Sequence, residues 1–182
     1  MIRWSAFCNI KGFVINAARE DGNLQLDGRL SRMLHLLIHM DRADGPVTSE
    51  AAAEMLGTNP VVVRRTLAGL RDAGMVRSNK GHAGGWTLSK ALEDLTMLDV
   101  YRALGEPRIF AIGLADPAPD CLVEQAVNES LEGALRAADA LVRRHLADVT
   151  LADIAADFDQ RIAKLSPKEI EARWHMKHSR PV

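Results

Sequence analysis

Aromatic residues are scarce in this chain, at 4%. Apart from one short hairpin, no run alternates apolar and polar residues at the period of a strand. A mostly helical fold is therefore expected. Cysteine is almost absent: Cys8 and Cys121 stand far apart and form no pattern. That excludes a disulfide framework and predicts a cytoplasmic protein. No apolar run approaches the roughly 20 residues that a transmembrane helix needs, so no membrane partner is expected. Met1 to Ala18 is mildly apolar, but Asn9, Lys11 and Asn16 interrupt it and no small-residue cleavage site follows, which argues against a secretory leader. No nucleophile-base-orienter set, no paired carboxylates in a glycine-shaped pocket and no metal motif is found, so the chain is not expected to be an enzyme. The glycine-rich stretch lacks a Gly-Lys-Ser/Thr ending, which excludes a phosphate-binding P-loop.

What is present is an ordinary globular composition. The chain has 182 residues, 47% hydrophobic and 26% charged, enough for one or two domains with a real core. The formal net charge of −1 hides a segregation. Between Thr48 and Lys90, six cations (Arg64, Arg65, Arg71, Arg77, Lys80, Lys90) face three anions (Glu50, Glu54, Asp72). Between Asp116 and Gln160, ten anions face three cations. A basic head on an acidic body suits a nucleic-acid partner better than the average charge suggests.

The basic head has a recognisable grammar. Asn59 is a good helix N-cap, and Pro60 sits at the first helical position, where its missing N–H costs nothing. Val63, Leu67 and Leu70 recur at spacings of four and three, which makes one helical face apolar. Arg64, Arg65 and Arg71 fall off that face. Gly74 stops the helix. Met75 to Ser78 predicts a short strand, Lys80 to Gly85 a glycine-rich turn, and Trp86-Thr87-Leu88 the return strand. Just upstream, Thr48 or Ser49 caps a short helix with Ala51, Ala52, Met55 and Leu56 on its packing face, ended by Gly57. Two short helices joined by a glycine-bearing turn, then a basic-tipped hairpin, are the layout of a winged helix-turn-helix. Its second helix is shaped for a major groove, with N-terminal residues at the base edges. Lys80 at the wing tip can reach phosphate or a narrowed minor groove.

The remaining elements follow from the same signals. A helix over 27–42 lines up Leu30, Leu34, Leu37 and Ile38; His35 and His39 in it have a metal-compatible spacing but no companion ligands, and are read as polar residues of a helix side. Leu92 to Leu104 predicts one packing helix closing the small domain, and Arg108 to Ala118 an apolar connector. Asp120 is expected to cap a long helix to about Asp148, with a stripe of Val123, Ala126, Val127, Leu131, Ala134, Ala138, Leu141, Val142 and Leu146. That helix is too long to bury on a small domain, so it is expected to be a dimerisation helix, and a two-fold dimer suits a pseudo-palindromic site. Thr150 caps a further helix with Leu151, Ile154 and Phe158 inward, Ser166-Pro167 opens another short turn, and the His175-Met176-Lys177-His178 tail reads as solvated. The expected division is an N-terminal extension (1–26), a winged helix-turn-helix domain (27–105), a connector (106–119), the dimerisation helix (120–148) and a C-terminal helix and tail (149–182).

Several stretches together resemble the Rrf-two family of bacterial winged-helix regulators. They are Gly57-Thr58-Asn59-Pro60-Val61-Val62-Val63-Arg64-Arg65, Leu70-Arg71-Asp72-Ala73-Gly74-Met75-Val76, Gly81-His82-Ala83-Gly84-Gly85-Trp86-Thr87-Leu88, Leu95-Thr96-Met97-Leu98-Asp99-Val100 and Asp120-Cys121-Leu122. The resemblance covers about Asp27 to Phe158. It implies a homodimeric, DNA-binding transcription regulator, usually a repressor, with double-stranded DNA as its partner. The DNA-contacting positions it implies are Asn59, Val61, Arg64 and Arg65 early on the recognition helix and Lys80 on the wing; Thr58 in the turn before that helix and His82 in the wing join them as candidate DNA-binding residues. Cluster-binding members of that family hold an iron–sulfur cluster with three cysteines between the wing domain and the long helix. Here only Cys121, matching the last of the three, is present, and Glu124 stands where some relatives carry a further ligand. Since a cluster held by thiolates normally wants four ligands, no cluster, metal or other cofactor is expected.

Cys121 is a candidate sensor. A helix N-terminus favours thiolate, while Asp116, Asp120 and Glu124 oppose it by like charge. The plainer alternative is a small buried hydrophobe at a helix start. For the whole chain, the alternative to DNA binding is a winged-helix module that recognises another protein, with Trp86 and the acidic body as the contact surface.

Overall fold

The computed structural model describes residues 27–79, 81, 84–117, 119–166 and 168–169. Lys80, His82 and the proposed extension 1–26 lie outside that range, as do His175 and His178. Six α-helices and one two-stranded antiparallel sheet are built from the described residues: α1 (Arg29–Asp41), α2 (Ser49–Leu56), α3 (Pro60–Asp72), β1 (Val76–Asn79), β2 (Gly85–Leu88), α4 (Met97–Ala103), α5 (Leu122–Asp148) and α6 (Leu151–Ala163). A mostly helical winged helix-turn-helix with a two-stranded wing and a long C-terminal helix is therefore what the chain adopts.

One core unites α1, α2, α3, the wing and the start of α6. Leu36, Leu37, Leu67, Leu70, Val63 and Leu151 are fully buried in it. The apolar face read from the recognition-helix sequence is the buried one: Val63, Leu67 and Leu70 face inward and no other residue of α3 is buried. The two strands pair in the register Val76↔Leu88 to Asn79↔Gly85. A third chain segment joins them, because Val47 exchanges two backbone hydrogen bonds with Trp86, at 2.8 and 2.9 Å. That bridge ties the wing to the loop leading into α2.

Two expected boundaries change. Leu92 to Leu104 is not one helix: Leu92–Asp94 forms a single 3₁₀ turn, Leu95 is extended and buried, and α4 starts only at Met97. The cause is a capping box. The Thr96 hydroxyl accepts from the Asp99 backbone N–H at 3.1 Å while the Asp99 carboxylate accepts from the Thr96 backbone N–H at 3.0 Å, and such a reciprocal cap begins a helix rather than continuing one. The long helix α5 is capped by Cys121, not Asp120, and without a side-chain hydrogen bond. Asp120 lies one residue further out.

The end of α5 is fastened to the small domain. Leu146 packs with Leu98 and Tyr101, supported by Val142 and Ile109. Arg143 donates to Glu106 at 2.5 Å and to Asp139 at 2.6 Å, and its guanidinium lies 5.2 Å from the centre of the Tyr101 ring. Beyond it, the backbone of Met97 donates to Val149 and that of Leu151 to Leu95, a short ladder around Thr96 and Thr150. Thr150 heads α6 with a second capping box, formed with Asp153. Ser166 caps the following turn as read, its hydroxyl and backbone N–H both donating to Glu169.

Candidate nucleic-acid interface

The helix-turn-helix geometry is set by three local devices. Thr48 Oγ1 accepts the Ala51 N–H at 3.1 Å and starts α2. Gly57 ends α2 in the left-handed conformation, φ 62°, where a side chain is strained, and turns the chain toward α3. Asn59 Oδ1 then accepts the Val61 N–H at 2.8 Å, with Pro60 at the first helical position. Asn59 thus commits one lone pair of its oxygen to the cap, and its amide N–H groups and the second lone pair stay available to a ligand.

The outer face of α3 is open. Asn59, Val61, Val62, Arg64 and Arg65 are exposed, and Val61 keeps 57% of its surface although it is a large aliphatic residue. Thr58 is half-buried in the turn, its backbone N–H donating to Ala53 at 2.9 Å. The structure thus brings Thr58, Asn59, Val61, Arg64 and Arg65 to one edge, at the start of α3. Their fellow candidates Lys80 and His82 fall outside the described residues.

The basic head is less free than its composition suggests. Arg64 Nη2 is paired with Glu50 of α2, and Arg71 with its neighbour Asp72 at 2.8 Å. Arg65 makes no ion pair among the described residues. It borders a hollow of about 330 Å³ that Arg29, Val61 and Thr66 also line. Arg77, on the outer face of β1, is exposed and donates to Thr87 Oγ1 at 3.0 Å. Sequence reading placed Arg77 and Glu50 only in the charge count. Both stand at this interface, Glu50 beside Arg64 and Arg77 on the wing.

The wing is held against α2 by a buried contact: Trp86 Nε1 donates to Ser49 Oγ at 3.1 Å. Gly85 is required by space, since a Cβ there would stand 2.8 Å from the Val47 carbonyl oxygen. Between the start of α2, α3 and the wing lies a hollow of about 260 Å³, whose lining includes Glu50, Arg64, Ser78 and Asn79.

Such a surface, a capped helix with an open N-terminal edge beside a hairpin, has counterparts among known proteins. The profile of the Rrf2 family, described as an iron-dependent transcriptional regulator, matches residues 26–157. The chain belongs to the Rrf2 family of transcriptional regulators. A protein of Bacillus subtilis (strain 168) named as an HTH-type transcriptional regulator, YwnA, is 31% identical over 130 residues, covering 71% of this chain and 96% of that one. A crystal structure described as a transcriptional regulator from Lactobacillus plantarum superposes with a TM-score of 0.63 at 28% identity, over 74% of this chain and 91% of that one. The structure of CymR, the global cysteine regulator of B. subtilis, superposes with a TM-score of 0.53 at 25% identity, over 74% and 98%. These relatives are regulators, so this Rrf2 protein is a regulator and not an enzyme.

The family's iron invites a test against the donor set. Among the described residues no group of three or more His, Cys, Asp or Glu side chains converges as a metal site. His35 and His39 lie edge to face, ring centres 4.6 Å apart, beside a groove between α1 and α6. Cys121 is the one cysteine among the described residues, and Cys8 is the only other in the sequence. These donors do not fit a four-thiolate iron–sulfur cluster. Cys121 itself is exposed, against the alternative of a buried hydrophobe. The backbone N–H groups of Glu124 and then Val123, at the start of α5, hold the thiol below its ordinary pKa. No helix of the described residues is long and apolar enough to cross a membrane.

Proposed function

We propose that this Rrf2 regulator works as a homodimer whose two α3 helices enter successive major grooves of a pseudo-palindromic site, and that it represses by occupying promoter DNA. The observation that carries the DNA contact is the division of α3: three buried residues face the core, while Asn59, Val61, Arg64 and Arg65 stay at the surface. Val61 and Val62, exposed aliphatics beside two arginines, suit thymine methyl groups flanked by phosphates. Lys80 and His82, assigned to the wing by the sequence alone, are the residues proposed to meet the neighbouring sugar-phosphate surface.

The dimer reading rests on α5. In a helix of 27 residues, about 40 Å long, only Leu146 is buried. Leu122, Val123, Val127 and Leu141 keep 57–79% of their surface. A face of that kind, far from its own core, is stabilised by covering it, and a second copy of the same rod covers both at once. A promoter-bound dimer would then exclude polymerase from the same DNA.

A second role is supported by one observation. The exposed Cys121 sulfur at the head of α5 is biased toward thiolate by two backbone N–H groups, so an oxidant or electrophile reaching it would alter the start of the dimerisation rod. If Cys121→Ser leaves DNA release by peroxide or quinones unchanged, that role is wrong.

The direct test of the main reading is a titration of the chain's own upstream region, with light scattering on the same sample. Tight, salt-sensitive binding by a dimer is expected. A monomer that ignores duplex DNA at low salt would favour a protein partner for the same surface.

A further inference from the structure

We propose that Glu50, in the first turn of α2, is a positioning residue for base recognition: it clamps the Arg64 guanidinium over the hollow between α3 and the wing and so determines which base step the regulator prefers. The inference rests on α3 being the recognition helix. Three observations lead to it. Arg64 Nη2 donates to Glu50 Oε1 across fourteen residues of sequence. Both side chains are more than half exposed, at 54% and 64%, so the pair adds little to stability. And among the described residues Glu50 is the only carboxylate on the hollow that Arg64, Ser78 and Asn79 also line.

A carboxylate on a surface facing phosphates opposes binding and, paired with Arg64, also offsets a cation that phosphate would attract. Its presence there needs a compensating role, and the contact supplies one. A guanidinium carries five N–H donors in a fixed plane. With Nη2 tied to Glu50, Nη1 and the remaining Nη2 hydrogen stay available for the two acceptors of a guanine edge, the bidentate pattern that arginine uses for that base. Released from Glu50, the same side chain is a long, mobile cation, free to pair with any phosphate in reach. The Glu50 carboxyl is held below the usual carboxylate range, by its own backbone N–H first and by Arg64 second, so the clamp is charged at neutral pH.

The test is selection of bound DNA from a random pool by the full chain, followed by titrations on the winning and a scrambled duplex at several salt concentrations. E50Q should melt like the wild type and still bind duplex. Its preference at the base step read by Arg64 should fall about tenfold, the scale of one lost bidentate contact. Its affinity for scrambled DNA should rise, with the salt slope steeper by about one as Arg64 takes up a phosphate. R64A should lose the same preference without the gain, and E50Q/R64A should lose no more than R64A. Wild-type preference in E50Q overturns the proposal, as does R64A keeping a preference that E50Q loses. A wild-type chain that selects no sequence and binds no duplex instead defeats the DNA reading, and this inference with it.

Discussion

The wing is held to the helix-turn-helix by one buried polar contact, which makes Ser49→Ala an informative perturbation. Ser49 and Trp86 are 7% and 8% exposed, and the indole N–H donates to the hydroxyl at 3.1 Å. A neutral hydrogen bond contributes about 0.5–1.5 kcal/mol net, but a buried donor left without its partner costs about 1–3 kcal/mol. Alanine's better helix propensity returns at most roughly 0.5 kcal/mol at this position. A net loss of about 1–2 kcal/mol is therefore expected from urea unfolding at fixed protein concentration. In a Trp86→Phe background no donor remains, so the same Ser49→Ala change should be close to neutral. The difference, a coupling of about 1 kcal/mol or more, isolates the contact from the loss of indole packing. Equal effects of Ser49→Ala in both backgrounds would refute the reasoning, because they would mean that the hydroxyl does something other than receive the indole N–H.

Three further outcomes are expected. Val127→Asp places a charge on the uncovered face of α5 and, if α5 carries the proposed dimer, should leave a monomer in light scattering, with duplex affinity falling alongside; a dimer that persists would move the interface elsewhere. Leu151→Ala, at a fully buried position, should cost about 2–5 kcal/mol in equilibrium unfolding; a loss under about 1 kcal/mol would mean that α6 is not part of the core. The Asp153 carboxyl is held below its ordinary 3.8 by the Thr150 hydroxyl first and the Thr150 backbone second. A carboxyl depressed on folding adds stability above its unfolded pKa and loses it as pH falls through the folded value. The wild type should thus lose this cap only below about pH 4, and Asp153→Asn should flatten the acid limb of a melting-temperature profile.

Local chemistry made much of this fold legible. Asn59-Pro60 and Thr150 each head a helix as read, and of the two caps offered for α2 Thr48 is the one used, because an N-cap needs only its own side chain and two or three following N–H groups. The buried face of α3 was equally visible in the spacing of Val63, Leu67 and Leu70. The break at Leu95 was missed although its signal lay in the sequence: Thr96 and Asp99 form a capping box, but the leucines around them keep a helical spacing, and the apolar pattern outweighed the cap. The start of α5 shifted by one residue because an aspartate beside a helix looks like a cap even when the next residue occupies that place. The Glu50–Arg64 pair had no local signal at all. It depends on the angle between α2 and α3, which a linear charge count adds up as one minus and one plus.

The short ladder around Thr96 and Thr150 gives the rod α5 a fixed end and a free one. Where the chain turns from α5 into α6 the rod is latched to the domain that carries α3, and at Leu122 it projects outward. Such a member behaves as a lever with its pivot at the reading head. In the proposed dimer, a small change of angle at the far tip, some 40 Å away, would swing the two heads through a comparable angle about their latches, so their separation, and with it the half-site spacing such a dimer accepts, would be governed from the end most distant from α3.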